Sequence, residues 1–388
     1  MRIINFPFFK ILNAHIVDYP TPSNINYIWS FGSLAGLFLF LQIIVGILLV
    51  IFYTPQSLLA FSSTEYIIRD VNNGWLLRYL HSNIASFFFI FVYIHILRGL
   101  YFKSYFNPRK ILWYTGLIIF ILIIATAFIG YVLPWGQTSF WGATVITNLF
   151  SAIPIFGKDI AQWLWGGYAI DNATLNRFFS LHYLLPFLIS VFALIHLYFL
   201  HIYGSNNPLG IVNLYDKITF IPYFYVKDFF IFIIALFIFS IICFFNPNLL
   251  GHPDNYIIAN SLVTPTHIVP EWYFLYFYAI LRSIPNKLGG VLCIAGAIII
   301  LFNISWIQSF LLKKKSVRIP QIKFYYKIFY FFSLVNVLIL GWIGAQAIEF
   351  PFVFIGIFSI GFYFFSLGIG LFLIFLYDSY IFYVTENN

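Results

Sequence analysis

Charge is what this sequence has least of. Of its 388 residues only 8% are charged, 20 Lys and Arg against 12 Asp and Glu, while 62% are hydrophobic and 23% aromatic. A water-soluble domain carries roughly 25% charged residues. This chain cannot clothe a water-facing surface, so a soluble enzyme, a disordered chain and a collagen-like chain are excluded. The formal net charge of +8 does not point to nucleic acid, because the few basic residues are set between long apolar runs. Cysteine is nearly missing as well. Cys243 and Cys293 are too few for a disulfide framework, no CxxCH is present to hold a haem covalently, and both read as packing residues in apolar surroundings. The first 26 residues do not read as a cleaved signal, since Pro7, Asn13, Asp18, Pro20 and Pro22 interrupt them; the stretch from Arg2 to Lys10 reads as interfacial. No appended soluble domain is expected at either end.

What is there in abundance is long apolar stretches. A spanning helix needs about 20 mostly apolar residues, and eight stretches qualify, near 31–53, 76–104, 111–133, 175–203, 227–246, 287–307, 324–343 and 351–376. The expected fold is therefore an all-α integral membrane protein with eight transmembrane helices. Three connections, 54–75, 134–174 and 247–286, are long; the others are short and basic. Eight spans put both termini on one side, here called the inner side. That side then holds Arg2, Lys10, Lys103, Arg109, Lys110, Lys217, Lys227, Lys313, Lys314, Lys315, Arg318, Lys323 and Lys327. The outer side holds Arg69, Arg78, Lys158, Arg177, Arg282 and Lys287. Basic residues accumulate in inner-side loops, so the N-terminus is expected inside. Lys313–Lys315 read as a stop-transfer anchor.

Ionisable side chains inside spans are costly and usually functional. The second span contains His81 and His95 and the fourth His182 and His196, both pairs 14 positions apart. At 3.6 residues per turn that is nearly four turns, so each pair shares a helix face, its members about 21 Å apart along the axis. The two spans run parallel. His81 and His182 therefore match in depth near the outer surface, and His95 and His196 nearer the inner one. A single buried histidine is usually a hydrogen-bonded packing residue. Two like-spaced pairs at matching depths instead suit the axial ligands of two stacked haem irons, with the first four spans bundled around them.

A second pattern has the same period. Gly32 and Gly46 lie in the first span and Gly116 and Gly130 in the third, again 14 apart. Glycine gives a porphyrin edge a place where no side chain intrudes; ordinary close helix packing through small residues is the plainer account. Arg78 precedes His81 by three residues and Arg98 follows His95 by three, each on its histidine's face. Each arginine can hold a haem propionate, or can simply snorkel to the interface.

Taken together with longer motifs, these residues resemble the cytochrome b family, the haem-carrying core of the mitochondrial and bacterial cytochrome bc complex, respiratory complex III. The motifs are PSN at 22–24, GWLLRYLHSN at 74–83, GYVLPWGQTSFWGATVITNL at 130–149, WGG at 165–167, FLHIYGSNNPLG at 199–210 and PEWYFLYFYAILRSIPNKLGG at 270–290. The resemblance implies two non-covalent b haems. The outer, low-potential one falls to His81 and His182, the inner, high-potential one to His95 and His196. It implies a haem domain over 1–212 and a C-terminal four-helix domain over 213–388 that carries the PEWY loop. The plastid counterpart is split between two chains and has one more residue in its second histidine gap, so the mitochondrial or bacterial type is favoured. Fifty-one phenylalanines and a single methionine fit an AT-rich organellar genome. The mitochondrial inner membrane is thus the expected location, a bacterial plasma membrane the alternative. One departure is Ile84, where the family usually has glycine; a branched residue there is expected to crowd the outer haem or quinol pocket.

The chemistry implied by the resemblance is the Q cycle. Ubiquinol oxidised near the outer face gives one electron to a Rieske iron–sulphur protein and the other, through the two haems, to a quinone at the inner face. Glu271 of PEWY is the candidate proton acceptor. Pro270 sets the backbone beside it, Trp272 and Tyr273 supply apolar and hydrogen-bonding wall, and Phe128, Tyr131, Gly142, Phe274 and Tyr278 match pocket-lining positions. A surface carboxylate balanced by Arg282 is the plainer account of Glu271. At the inner face the candidates are His201, Asp228, read as opening the fifth span, and Ser205, with Trp29 and Lys227 contributing; helix-end capping is the plainer account of Asp228. His267 reads as structural, and no role is expected for His15 or His252. The resemblance also implies a c-type cytochrome subunit, other complex III subunits, lipid and a homodimer as partners, and no nucleic acid. Two other readings stay open on the residues: a simpler di-haem quinone reductase, which does not call for PEWY, and a proton-relaying transporter, which calls for inverted repeats.

Overall fold

The structure is a computed structural model, and it describes residues 10, 13–210, 215–311, 324–377 and 380. Eight of its helices are long and apolar enough to cross a membrane, over Tyr27–Val50, Gly74–Tyr101, Lys110–Val132, Asn172–Tyr203, Tyr223–Phe245, Lys287–Ile307, Phe324–Gly344 and Phe352–Tyr377. They agree with the eight sequence stretches to within a few residues. Arg2, Lys313, Lys314, Lys315, Arg318 and Lys323 lie outside the described residues, as does the expected domain boundary at 212/213.

A short strand β1 (Pro20–Pro22) and a 3₁₀ turn lead into α1 (Phe31–Val50), which has no charged or proline residue to stop it. Its buried residues, Leu34, Phe38 and Val45, form one stripe, and the rest of its surface is equally apolar. A helix with apolar residues all round suits lipid rather than water. Three short helices, α2 (Ala60–Arg69), then α5 (Gln137–Leu149) and α6 (Gly157–Trp165), occupy the long outer connections. Between them run α3 (Gly74–Tyr101) and α4 (Lys110–Val132). The fourth span is α7 (Asn172–Tyr203), with a capping box between Asp171 and Thr174 at its start and Gly204, φ +69, at its end. Strand β2 (Lys217–Thr219) pairs antiparallel with β1, Pro20 opposite Thr219. This small ribbon is the departure from an all-helical reading. Three-residue strands carry no alternating run long enough to signal themselves, and the partners lie almost 200 residues apart.

The remaining helices are α8 (Tyr223–Phe245), α9 (Leu275–Arg282), α10 (Lys287–Leu311), α11 (Phe324–Gly344) and α12 (Phe352–Phe365), the last continuing through a π-turn at Ser366–Gly370. The closest helix pairings are α4 with α7 and α1 with α3, while α9, α11 and α12 form a second group and α8 leans on α3 and α1. Aromatic rings make the seam between α1, α3 and α8. Phe38 meets Phe87, Phe91 and Phe239 at ring-centroid distances of 6.0, 4.8 and 5.5 Å. Such offset and edge-on pairs add to burial by about 0.5–1.5 kcal/mol each.

Candidate functional site

Two helix pairs, α1/α3 and α4/α7, face each other across the four histidines. The rings of His81 and His182 stand 6.2 Å apart, and those of His95 and His196 6.3 Å. Two metal–imidazole bonds of about 2 Å plus the inner half of each ring account for such a separation. The four glycines lie against these same rings. A Cβ on Gly130 would stand 2.3 Å from His182 Cε1, on Gly32 2.9 Å from His95, on Gly46 3.1 Å from His81 and on Gly116 3.1 Å from His196. Sequence reading reserved that room for a porphyrin edge; the structure fills it with the imidazoles themselves. Each glycine lets a histidine-bearing helix approach its neighbour closely enough for the ring to lie against bare backbone.

In three of the four rings the second nitrogen has its own neighbour, whereas the buried His81 Nδ1 has no hydrogen-bond partner among the described residues. His182 Nδ1 lies 2.9 Å from the Thr126 carbonyl, and His196 Nδ1 3.0 Å from Thr115 Oγ1. His95 Nδ1 meets Arg98 Nη2 at 3.0 Å. The guanidinium of Arg98 is further sandwiched against the Trp29 ring, 5.3 Å from its centroid, and its buried Nε has no hydrogen-bond partner among the described residues. A buried cation with an unmet donor fits an anionic group brought by a ligand. Around the outer couple, a cavity is lined by Gln42, Gly46, Tyr53, Arg78, His81, Gly130 and His182, and the buried Gln42 Oε1 likewise has no partner there. Both arginines thus stand where the chemistry of a haem with two propionates needs them, and the donor sets fit that group. Ile84 is 1% exposed and belongs to the central apolar core, not to the lining of this cavity.

Glu271 stands at the turn before α9, its backbone extended at φ −53, ψ 147. Burial pushes its carboxyl up to about 7, against the opposing pull of the Tyr131 hydroxyl and of the Arg78 charge. Tyr131 also donates to Thr138 Oγ1 at 3.0 Å. Arg282 is not its counter-ion: the guanidinium donates to the Ile343 carbonyl and lies over the Tyr278 ring, 5.4 Å from its centroid. The surface-pair account of Glu271 fails because Arg282 is held by α11 and Tyr278. Tyr278 donates to the Ile268 carbonyl at 3.0 Å, Phe128 packs edge-on to Phe178 at 6.0 Å, and a side chain at Gly142 would meet only open space.

Tyr273 is buried, its ring stacked on Phe89 at 4.1 Å and 3°, with Phe274 against the same ring at 5.6 Å. Its hydroxyl is held well above the usual range by burial and by Glu271 and neighbouring tyrosines. It is wall. Sequence reading missed the residues that hold this wall in place. Trp272 Nε1 donates to Ser86 Oγ at 3.1 Å, and the Tyr93 hydroxyl donates to the Tyr273 carbonyl. Ser86, Phe89 and Tyr93 all belong to α3, the helix of His81 and His95. In an aromatic-rich span nothing distinguishes Phe89 or Tyr93 before the neighbour is known.

At the inner face His201 lies in the last turn of α7. Its Nδ1 approaches the Leu197 carbonyl at 2.7 Å and its Nε2 the His15 carbonyl at 2.9 Å, and its ring packs on those of Tyr19 and His15 at 4.6 and 5.4 Å. Lys227 donates to the Ile25 carbonyl at 2.7 Å and lies over the Tyr27 ring. The N-terminal segment thus bridges the two. Asp228 does not open the fifth span: α8 begins five residues earlier at Tyr223 and has no acidic residue in its first turn, so helix-end capping is excluded for it. The apolar-aromatic run YFYV before Lys227 extends the helix beyond the first charged residue. Ser205 offers its carbonyl to Arg109 Nη2 at 3.2 Å. Among the described residues no hydrogen bond or ion pair joins His201 to Asp228. His267 Nε2 faces the Ala345 carbonyl at 3.5 Å, and His252 accepts from the Asp254 amide at 3.2 Å.

Two family profiles cover most of the chain, one described as cytochrome b/b6/petB over residues 16–204 and one as cytochrome b (C-terminal)/b6/petD over residues 258–364. A cytochrome b of Phytophthora megasperma is 59% identical over 351 residues, covering 90% of either chain. That of Chondrus crispus is 58% identical with 92% of each covered, and that of Arabidopsis thaliana 58% identical with 91% of this chain and 89% of its own covered. Among solved structures, a chain of a hyperthermophilic respiratory complex III superposes with a TM-score of 0.88, 29% identity and 98% coverage of both.

Proposed function

The chain belongs to the cytochrome b family, and from that premise we propose that it is the membrane subunit at which a ubiquinol–cytochrome c reductase oxidises quinol and passes electrons across the bilayer. Haem b is the cofactor this family implies. When bound, haem supplies a one-electron carrier, and two at different depths link the two faces. In this reading His81 and His182 hold the outer, low-potential haem, and His95 and His196 the inner, high-potential one. Gly32, Gly46, Gly116 and Gly130 give the four rings their room. Arg78 and Arg98 neutralise propionates. The reading is carried above all by two histidine couples of one spacing, 6.2 and 6.3 Å between rings, each ring seated against a glycine.

At the outer face, a carboxyl poised at about 7 is suited to take a proton from a quinol at physiological pH. Glu271 is that acceptor, with the Tyr131 hydroxyl beside it and Phe128, Gly142, Pro270, Tyr273, Phe274 and Tyr278 as the pocket's walls. At the inner face His201 and Asp228 serve a quinone's two carbonyls, with Ser205, Trp29 and Lys227 around them. Residues 1–212 form the haem domain and 213–388 the domain that carries PEWY.

Membership of a multi-subunit respiratory complex follows from the family. The partners we assign within it are a Rieske iron–sulphur protein, a c-type cytochrome and a second copy of this chain. The location we assign is the mitochondrial inner membrane, supported by the relatives in Phytophthora megasperma, Chondrus crispus and Arabidopsis thaliana. An anaerobic redox titration of the purified complex tests the assignment. Two b-type components are expected, and His182→Ala should remove the lower-potential one. A preparation without a reduced b-type band, or a His182→Ala complex that keeps both components, would overturn it.

A further inference from the structure

We propose that Thr115 is a positioning residue for the inner haem: its hydroxyl accepts the Nδ1–H of His196, fixes that ring's tautomer and holds down the potential of the iron it binds. The proposal rests on His196 being an inner haem ligand.

Thr115 is buried in α4, one residue before Gly116, at the point where the bare backbone lets the His196 ring lie against the helix. Its Oγ1 has three neighbours: the Ile111 carbonyl at 3.1 Å, the Leu112 carbonyl at 2.9 Å and His196 Nδ1 at 3.0 Å. A threonine hydroxyl has one proton and two lone pairs. The two carbonyls can only accept, and in the arrangement proposed the proton goes to one of them rather than to Nδ1, as threonines in helices commonly back-bond. A lone pair is left facing Nδ1. His196 must then donate from Nδ1, which leaves Nε2 with its lone pair free. This is the tautomer an iron ligand needs, and the protein supplies it without help from the ligand.

The outer couple is built differently. There His182 Nδ1 finds a main-chain oxygen, that of Thr126, at 2.9 Å, while the Thr126 hydroxyl is turned to the Leu122 carbonyl at 2.7 Å. Thr126 precedes Gly130 by four residues, just as Leu112 precedes Gly116. At the inner couple the Leu112 carbonyl likewise interacts with His196, and the Thr115 hydroxyl is a second acceptor added beside it. Because it passes its own proton to that carbonyl region, the hydroxyl is polarised and becomes a better acceptor. An acceptor on the distal nitrogen of a metal-bound histidine raises the ligand's basicity and favours the oxidised iron. Removing it should raise the potential of that haem alone.

The test compares Thr115→Val, Thr115→Ser and His196→Ala in the intact complex by potentiometric titration, together with pulsed EPR of the Nδ1 nitrogen and its exchangeable proton. Valine keeps the shape and loses the oxygen; serine keeps the oxygen. The expected result is an upward shift of the higher-potential component in Thr115→Val, with the lower-potential one unmoved, wild-type values in Thr115→Ser, and an altered Nδ1 quadrupole coupling in the valine variant only. An unshifted higher-potential component in Thr115→Val, or an equal shift of both components, would overturn the proposal. The His196→Ala control keeps the two levels apart. If that variant retains both haems, the ligand assignment itself fails; if it loses the higher-potential haem while Thr115→Val titrates as wild type, only the role of Thr115 does.

Discussion

The four glycines are unequal, and the inequality predicts which haem each protects. A Cβ at Gly130 would sit 2.3 Å from a ring atom of His182, whereas one at Gly116 would sit 3.1 Å from His196. Overpacking of this kind costs about 1–3 kcal/mol when neighbours can shift, and at 2.3 Å the imidazole itself must move. Gly130→Ala should therefore lose or shift the lower-potential haem in difference spectra while Gly116→Ala keeps both. Glu271 makes the second prediction at this scale. Its carboxyl is raised from an ordinary 4.5 to about 7, so the folded protein holds that proton more tightly than the unfolded chain does. The stability this contributes is complete below about 4.5 and is lost as pH rises through about 7. Only the ionised form accepts a proton, so steady-state quinol oxidation should rise with pH through that same range, and Glu271→Gln should flatten the profile and slow the reaction. That the residue was a candidate could be read from PEWY; that its proton affinity lies near neutrality could not, because burial is set by α3 and α4 packing around it.

Among the elements, α3 carries more than its two histidines. The same helix fixes the PEWY segment through Ser86 to Trp272, through the Phe89–Tyr273 stack and through Tyr93 to the Tyr273 carbonyl. Ser86→Ala removes the acceptor of a part-buried indole N–H, a loss of about 1 kcal/mol. It should weaken an outer-site inhibitor by roughly fivefold and leave both haem potentials unchanged; an unaltered inhibitor titration would argue against the coupling. The helices themselves were legible residue by residue, since unbroken apolar stretches of about 20 admit little else. The inner ribbon β1–β2 was not. Neither was the true start of α8, where four aromatic and aliphatic residues, Tyr223 to Val226, carry the helix past the expected boundary and leave Asp228 in its second turn.

For the molecule as a whole, the distribution of basic residues sets an orientation that can be measured. Lys10 and Lys158 are both exposed and lie on opposite sides in the expected topology. A cysteine placed at Lys158 should react with a membrane-impermeant maleimide added to the outer face of oriented vesicles, and one at Lys10 only after the inner face is opened. The opposite pattern would invert the assignment of both quinone sites. Burial also differs sharply between spans: α7 leaves Tyr183, Phe187, Val191, Leu194 and Tyr198 exposed along its length, whereas α3 buries much of its surface. An apolar face of that kind suits lipid or the second copy of the chain proposed above.

Period and composition by themselves determined that this protein crosses a bilayer eight times, and that two histidine couples recur at one spacing beside glycines of the same spacing. Both follow from helix geometry and from the cost of burying charge, and neither depends on what a helix packs against. Only the tertiary structure decided which ring each glycine accommodates, what each distal imidazole nitrogen faces, and that Glu271 is pushed toward neutrality while Arg282 is held elsewhere. Those facts belong to contacts between residues tens to hundreds of positions apart. In a chain so rich in interchangeable apolar and aromatic side chains, no local signal marks the contact before the helices meet.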